Sequence, residues 1–558
     1  MSPRALLRLL VAWLLATALL CGIVHHVLAL DVDEVHPRAI VASVWRGGAR
    51  VARAVLVRAE DPEPTLDAAA AEPGSTRVIE QVVAEGPVPT WPEAALSLSF
   101  VPGRDGLVAR LGGRTAYVTP DDLLALQAYD RGLAIPSIQL TAGLDLPLVL
   151  AKAADDLGVT VPELVAHGTL RRVRVVRGVP GTSRLRAPSP ESLSDEDVRD
   201  GAVAMARYLA RGVDEQGRFR YLVDAPSNQS HPGYDWPRHA GATYFLAQAA
   251  ALTADGDLRF ATLRAAGLLR DHATVHCGEH RCIGDETTVE VGSTALAVLA
   301  FVEITRTKLD EGYALALPEL TAFLRSQQRA DGELMHAYDR VGRRPIDVQF
   351  LYFSGEAAFA LSRAHALSSD PRDLEAATRL LAYLVGPGWD FFGGRYYRGE
   401  EHWTCQAMDD LWDRVPSPSA LDFCLSWQAY GRALMYGPGD TLYDADGAYG
   451  VGPLLAPHLT PAGSRAEAGV ATLEAAMRAG RPPAELEALR QEMRRSLALL
   501  LRQQLDAAES SPDAHLFVDR DAVEGAMPGS QVDWQLRIDY DQHAGCALLR
   551  WLQIHPNE

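Results

Sequence analysis

Carboxylates, histidines and aromatic side chains gather at five places between residues 234 and 543, the combination that general acid–base chemistry on a polar substrate requires. At the first, Tyr234, Asp235, Trp236, Arg238 and His239 lie within six residues. Trp236 can stack on a flat ring and Arg238 can hold a carboxylate bidentately, unless both serve packing and Arg238 sits in an internal ion pair. At the second, Asp285, Glu286 and Glu290 precede Gly292. Crowded acids raise one another's pKa, as a general acid needs, although acids before a helix also favour its dipole. At the third, the apolar run Phe350 to Phe353 delivers Glu356 to a helix start, with Asp347 and Tyr352 on the same approach. A carboxylate there needs partners or a raised pKa; Glu356 is the leading acid, with capping of backbone amides as its structural alternative. The fourth is His402, Trp403, Asp409 and Asp410, with the two aspartates about two helical turns beyond the histidine and only one able to point inward. The fifth, Asp539 to His543, repeats the acid–aromatic–histidine order of the first. The candidate catalytic groups are therefore Glu356, Asp347, Asp410, His239 and His402. The candidate substrate contacts are Arg238, Trp236, Tyr352, Trp403, Glu290, Asp541 and His543.

Other chemistries find no foothold. Lysine occurs only at Lys152 and Lys308, which removes most candidates for a lysine nucleophile. No phosphate-binding loop, nucleophile elbow, zinc-protease helix or dinucleotide fingerprint is present, and no resident cofactor is expected. Cys277 and Cys282, with four residues between them including Gly278, are expected to form a disulfide. His276 and His280 give the loop the look of a metal knuckle, but no second Cys/His pair follows at a usual distance, so no metal is expected.

The elements that must position these groups come from a repeat that begins near Val198. Ala/Leu-rich helices alternate with short loops. One half of the unit is a helix ending near a Gln pair, then a turn and a short extended run. Leu324 to His336 is the clearest copy, Leu501 to Val518 a second, and Tyr208 to Phe219 a third without the Gln pair. The other half is a helix that starts with small residues, at His239–Gly241, Gly292–Ala295, Gly355–Ala357, Gln406–Ala407, Glu467–Gly469 and His543–Gly545. Small side chains let helices crowd around an axis while outer helices carry the amphipathic stripe. Six such hairpins predict a closed (α/α)6 toroid, with the nearly matching first and last starts side by side.

With Gln327, Gln328, Asp331 and Gly332 as its clearest motif, this repeat resembles the six-hairpin glycosidase-like superfamily over roughly residues 196–558. The resemblance implies a central cleft that binds a saccharide chain and works with carboxylates. Fold alone leaves the reaction open.

Upstream, residues 31–180 read as a smaller α/β domain. Apolar runs flank Gly47-Gly48 and Gly112-Gly113 as hairpins, and Thr119, Pro120, Asp121 and Asp122 open a helix. Val101 to Leu107, the second glycine hairpin and Thr119-Pro120 resemble the AMMECR-like domain family, which implies no established chemistry. Residues 181–195, rich in Ser, Pro and Arg, are the expected linker. Residues 1–30 combine Arg4 and Arg8 with an uncharged apolar run ending near Ala29: a signal peptide or an uncleaved membrane anchor. Export to a periplasmic or extracellular compartment is expected, with no other membrane contact. The formal charge of −19 and the absence of basic clusters interleaved with aromatics exclude a nucleic-acid partner.

The fold class is thus multidomain: an export segment, an α/β domain and an all-α toroid. The expected function is a carbohydrate-active protein of glycoside hydrolase, lyase or epimerase type, acting on a cell-envelope or extracellular polysaccharide or oligosaccharide. Hydrolysis would pair Glu356 with a second carboxylate, whereas lyase or epimerase chemistry would rest on His239, His402, Tyr352 and Arg238. The alternative is a non-catalytic toroid scaffold or glycan-binding module in envelope or exopolysaccharide assembly.

Overall fold

The structure, a computed structural model, describes residues 30, 32–33, 36–89, 93–129, 131, 133–135, 140–179, 188–386, 402–441, 444–450, 456–508 and 511–554. The apolar segment expected for export lies outside the described residues. Among the described residues no helix is long and apolar enough to cross a membrane.

The N-terminal α/β domain is built on one antiparallel sheet. Its strands are β1 (Ala39–Arg46), β2 (Ala49–Leu56), β3 (Ser75–Pro87), β4 (Asp105–Leu111), β5 (Arg114–Val118) and β6 (Thr169–Gly178). Their order is β2-β1-β3-β6-β4-β5. The two glycine pairs join β1 to β2 and β4 to β5, as their spacing predicts. Thr119 and Asp122 cap the helix Pro120–Ala125 reciprocally.

From Asp195 the chain forms helical hairpins. The outer helices are α1 (Asp195–Arg211), α3 (Gly256–Leu268), α5 (Leu317–Ser326), α7 (Pro371–Leu384), α9 (Pro418–Leu434) and α11 (Pro483–Gln503). The inner ones are α2 (Trp236–Leu252), α4 (Val291–Arg306), α6 (Phe353–Ser368), α8 (His402–Leu411), α10 (Leu459–Arg478) and α12 (Ile538–Trp551). Each inner helix packs on the next, and α12 returns to α2, closing an (α/α)6 ring. The strand before α12, Gln535–Arg537, pairs with Leu222–Asp224 before α2 and seals the same seam.

Composition explains which helix goes where. α4 buries every residue from Val291 to Ile304, so it must be surrounded. α7 buries Ala376, Ala377, Leu380, Leu381 and Leu384, one stripe at helical spacing. Small residues set the spacing of the inner wall. A Cβ on Gly292 would lie 2.5 Å from Glu356 Oε2, one on Gly355 2.8 Å from Trp403 Cβ, and one on Gly241 2.5 Å from Gln542 Oε1.

Two expectations change. Glu467–Gly469 is not the start of α10, which begins at Leu459; Gly463 makes the close approach to α12 there, and Gly469 faces Met493 of α11 instead. Of the three expected copies of the repeated turn, those at Tyr208–Phe219 and Leu324–His336 are present, and the third lies before α10 rather than at Leu501–Val518. The copies centre on Gly217, Gly332 and Gly447, at φ 88°, 103° and 95°, each beside a backbone carbonyl that a side chain would strike. The segment Leu501 to Val518 is not a copy; it turns at Ala514–Leu516 against the N-terminal sheet.

At the centre of that contact Asp121 and His515 are fully buried, with the Arg177 side chain 25% exposed beside them. His515 Nε2 lies 2.7 Å from Asp121 Oδ2, and Arg177 donates to Asp121 at 2.9 Å and to Asp513 at 2.5 Å. The described part of the expected linker is pinned as well: Arg494 donates to the carbonyl oxygens of Pro190 and Leu193.

Candidate functional site

The amino ends of the inner helices meet at one mouth of the ring. Outer-helix starts carry side-chain caps at Ser194, Asp255, Asp370 and Ser417. Glu290, Tyr352 and Arg537, which precede α4, α6 and α12, cap nothing with their side chains. Asp235 and His458 cap α2 and α10, so the remaining amides at the starts of α4, α6 and α12 are the ones that favour an anion or a developing negative charge at the mouth.

Two groups of side chains occupy this end. On the α2–α4–α6 side stand Asp235, Arg238, Glu290 and Glu356. Glu356, in the first turn of α6, is 5% exposed, and its Oε2 has no hydrogen-bond partner. Burial, then the nearby Asp235 and Glu290, push its pKa up to about 8 against the pull of Arg238. Burial and Asp235 also raise Glu290. Arg238 is already committed, to Asp235 at 2.7 Å, Asp539 at 3.2 Å and the Tyr221 hydroxyl at 3.2 Å. Arg537 and Arg238 hold Asp539 down at about 2 against the effect of its burial.

On the α8–α10–α12 side stand His402, Glu467 and His543. His543 Nδ1 is 2.7 Å from Glu467 Oε2, and His402 Nε2 is 3.9 Å from the same oxygen. The two imidazoles meet edge to face with centroids 5.1 Å apart. His402 is 2% exposed, and neither of its ring nitrogens has a partner. Burial, then His543, push its pKa well below the usual histidine value, so it is neutral at pH 7. Glu467 is fully buried with Oε1 unpartnered, and burial raises its pKa while His543 opposes. With Glu467 ionised, His543 donates through Nδ1–H and presents Nε2 as a base. Trp403 backs His402 at 4.8 Å between ring centroids, and Tyr352, 38% exposed, stands 6.1 Å from His402 at the rim. One donor atom from each of His402, Glu467 and His543 lies within 4.8 Å of the others, a set that could hold a metal ion.

No family model and no curated protein matches the chain, so the AMMECR-like resemblance gains no family match. Solved structures do resemble it. D-mannose isomerase is 12% identical, with 65% of this chain and 99% of that chain covered at a TM-score of 0.49. Cellobiose 2-epimerase from Bacillus thermoamylovorans B4167 is 10% identical, covering 64% and 98% at 0.48. An unsaturated glucuronyl hydrolase specific for heparin is 11% identical, covering 64% and 98% at 0.44.

Several residues singled out by sequence stand elsewhere. His239 is buried in the ring wall, its Nδ1 2.6 Å from the Tyr234 hydroxyl and its Nε2 3.0 Å from the Ala265 carbonyl of α3; burial lowers it to about 4. Asp541 also points outward, accepting the Met527 amide at 3.0 Å. Asp347 is on the outer rim, its side chain 60% exposed and paired with Arg329 at 3.0 Å. Asp410 is at the opposite end of the ring, held by Ser362 and Arg363, while Asp409 binds Arg478 and Arg550. Trp236 is half-buried and donates to Asp285 at 2.7 Å. Glu356, Asp347 and Asp410 therefore do not converge. Glu467 was missed as a site residue; its signal was a lone acid in the small-residue run Ala466 to Gly469.

A cavity of about 770 Å3 lies where the sheet meets the ring. Its charges are spoken for, Arg177 by Asp121 and Asp513 and Arg502 by Asp444, so the candidate site is placed at the ring mouth.

Cys277 and Cys282 form the expected disulfide, within the hairpin Thr274–Ile283. A second bond, Cys405–Cys424, ties α8 to α9. Cys546 is free and buried.

Proposed function

We propose that the chain is a carbohydrate-active enzyme that moves a proton on a sugar by general acid–base catalysis at the ring mouth, an isomerase or epimerase type of reaction. The observation that carries this reading is that four of the buried polar atoms without partners stand at the ring mouth on titratable side chains: both nitrogens of His402, Glu467 Oε1 and Glu356 Oε2. Each costs about 1–3 kcal/mol, an expense from which a scaffold or passive ring gains nothing. The saccharide follows from the resemblance of the repeat to the six-hairpin superfamily and from Tyr352, exposed at the rim beside His402.

The chemistry follows from the donors. Removing a proton from carbon beside a carbonyl needs a base, an acid and a place for negative charge on oxygen. His543 Nε2 is the base, and Glu467 orients the ring through Nδ1–H and stabilises the imidazolium that forms. The imidazolium of His543 returns the proton it took to a substrate carbon, and neutral His402, across from it, offers one N–H to the enolate oxygen. The uncapped amino ends of α4, α6 and α12 stabilise the enolate oxygen. Arg238, tied to Asp235 and Asp539, frames the mouth rather than gripping a carboxylate.

One observation favours a second reading. Glu356, with a pKa near 8, is protonated at pH 7 and fits the general acid of a glycosidase. Export, the periplasmic or extracellular location and the modular arrangement of residues 31–180 and 196–558 belong to the same proposal. Two disulfides suit an oxidising compartment.

The test is a panel of aldoses, cellobiose-type disaccharides and uronate oligomers, with products resolved by NMR. Interconverted monosaccharides or reducing-end units support proton transfer. New reducing ends without interconversion would move the assignment to hydrolysis by Glu356, and unsaturated ends to a lyase.

A further inference from the structure

We propose that His402, Glu467 and His543 form a binding site for one divalent transition-metal ion of the zinc class. Two imidazoles and one carboxylate are a donor set suited to zinc and its neighbours. The inference uses the same side chains as the acid–base reading and goes beyond it, because it stands on their donor geometry whatever reaction they serve.

The sequence disguises the set, since its members are 65 and 76 residues apart on three different hairpins. The ring brings them together on adjacent inner helices, α8, α10 and α12, so that one donor atom from each lies within 4.8 Å of the others. Glu467 Oε2 is 2.7 Å from His543 Nδ1 and 3.9 Å from His402 Nε2. Ligand atoms about 2.0–2.2 Å from a tetrahedral zinc sit roughly 3.3–3.5 Å from one another; the two Glu467 distances bracket that need, and the histidine pair, within 4.8 Å, closes to it by turning the two imidazoles toward each other.

Two further observations point to a ligand. His402 is 2% exposed and neither ring nitrogen has a partner; an imidazole buried to that degree ordinarily donates and accepts. Glu467 is fully buried with its second oxygen unpartnered. Beside the set, one turn from His543 on α12, Cys546 Sγ accepts from Gln248 Nε2 at 3.5 Å. His543 is the ligand that reaches solvent, with 13% of its side chain exposed, so a fourth position on its side would open to the mouth. An ion between His543 Nδ1 and Glu467 takes the place of the proton they share, so uptake releases a proton and blocks the acid–base cycle.

The experiment uses the full chain, stripped with chelator and dialysed. Zinc is titrated calorimetrically, and cobalt(II) is added in parallel to read its visible bands. The site requires one equivalent of zinc per chain, four-coordinate cobalt absorption displaced by zinc, and a higher melting temperature with zinc. His402→Asn and Glu467→Gln should each weaken binding more than about 100-fold, beyond the 10–100-fold of a lost outer contact. A His276→Ala/His280→Ala variant, which removes the surface histidines of the disulfide hairpin, should bind as the parent does. Should a ring variant fail to fold, the parent's cobalt spectrum and the hairpin variant still decide. No stoichiometric zinc in the parent, cobalt bands of an octahedral aquo type, or binding retained by a folded His402→Asn would overturn the site. The two readings part cleanly: sugar proton exchange by chelator-treated protein that binds no zinc leaves the acid–base proposal standing and removes this one, and zinc binding without exchange does the reverse.

Discussion

Replacing Glu356 by Gln should change how stability depends on pH. Glu356 is 5% exposed, and its pKa rises from 4.5 to about 8 through burial and the charges of Asp235 and Glu290. Its folded-state pKa lies above its unfolded value, so the unfolded chain sheds a proton that the folded chain keeps. Stability is therefore lost as pH climbs from about 4.5 toward about 8. At about 1.4 kcal/mol per pH unit, this one group removes roughly 3–4 kcal/mol between pH 5 and pH 8. The Gln side chain keeps the shape and cannot ionise, and its amide can donate toward Glu290 or Asp235. Urea unfolding of both proteins at pH 5 and pH 8 measures the difference directly. The parent should lose about 3 kcal/mol more than Glu356→Gln over that span. Parallel losses in the two proteins would show that Glu356 ionises like a surface acid and would remove its claim to general-acid chemistry.

Other expectations are independent of Glu356. Gly292→Ala, whose new methyl would stand 2.4 Å from Phe353 and 2.5 Å from Glu356 Oε2, should cost about 1–3 kcal/mol in urea unfolding by forcing α4 from α6. Cys424→Ser should cost about 2–4 kcal/mol by releasing α9 from α8, and peptide mapping of the unreduced parent should recover Cys405–Cys424 beside Cys277–Cys282. Asp410→Asn, which strips partners from Ser362 and Arg363 at the far end of the ring, should lower stability by about 1–3 kcal/mol while the folded fraction keeps its activity. Asp121→Ala should cost about 1–3 kcal/mol, because it leaves buried His515 without its partner while the partly exposed Arg177 keeps Asp513.

The ring was legible because crowding has a compositional cost. Inner helices need small residues where they touch, and Gly241, Gly292 and Gly355 advertise those contacts. The same logic misled at α10, where Gly469 makes room for Met493 of an outer helix, so the apparent start falls two turns late and Glu467 passes for a helix-start residue. Which histidine faces the mouth was not legible. Arg238 to Gly241 and Gln542 to Gly545 are near-identical, yet they meet each other across the closing seam, Gly241 against Gln542 and Gly545 against Phe245. Equivalent positions thus use opposite flanks of their helices, which puts His239 in the wall and His543 at the mouth. Depth excluded the aspartates: seven or eight residues beyond His402 at about 1.5 Å each carries Asp409 and Asp410 about 10–12 Å from the mouth. Cys405 and Cys424 could not be paired from sequence, because spacing does not determine connectivity.

The most direct measurement of the acid–base proposal is solvent exchange. The chelator-treated full chain is incubated in D2O with the sugar that the product panel identifies, and proton NMR follows the signal at the carbon beside the carbonyl. Enzyme-dependent loss of that signal is expected, slowed by roughly two to four orders of magnitude in His543→Asn, the usual weight of a general base, and unchanged in Asp410→Asn. Turnover of the sugar with its carbon-bound proton fully retained, or exchange undiminished in His543→Asn, would contradict proton transfer at this site.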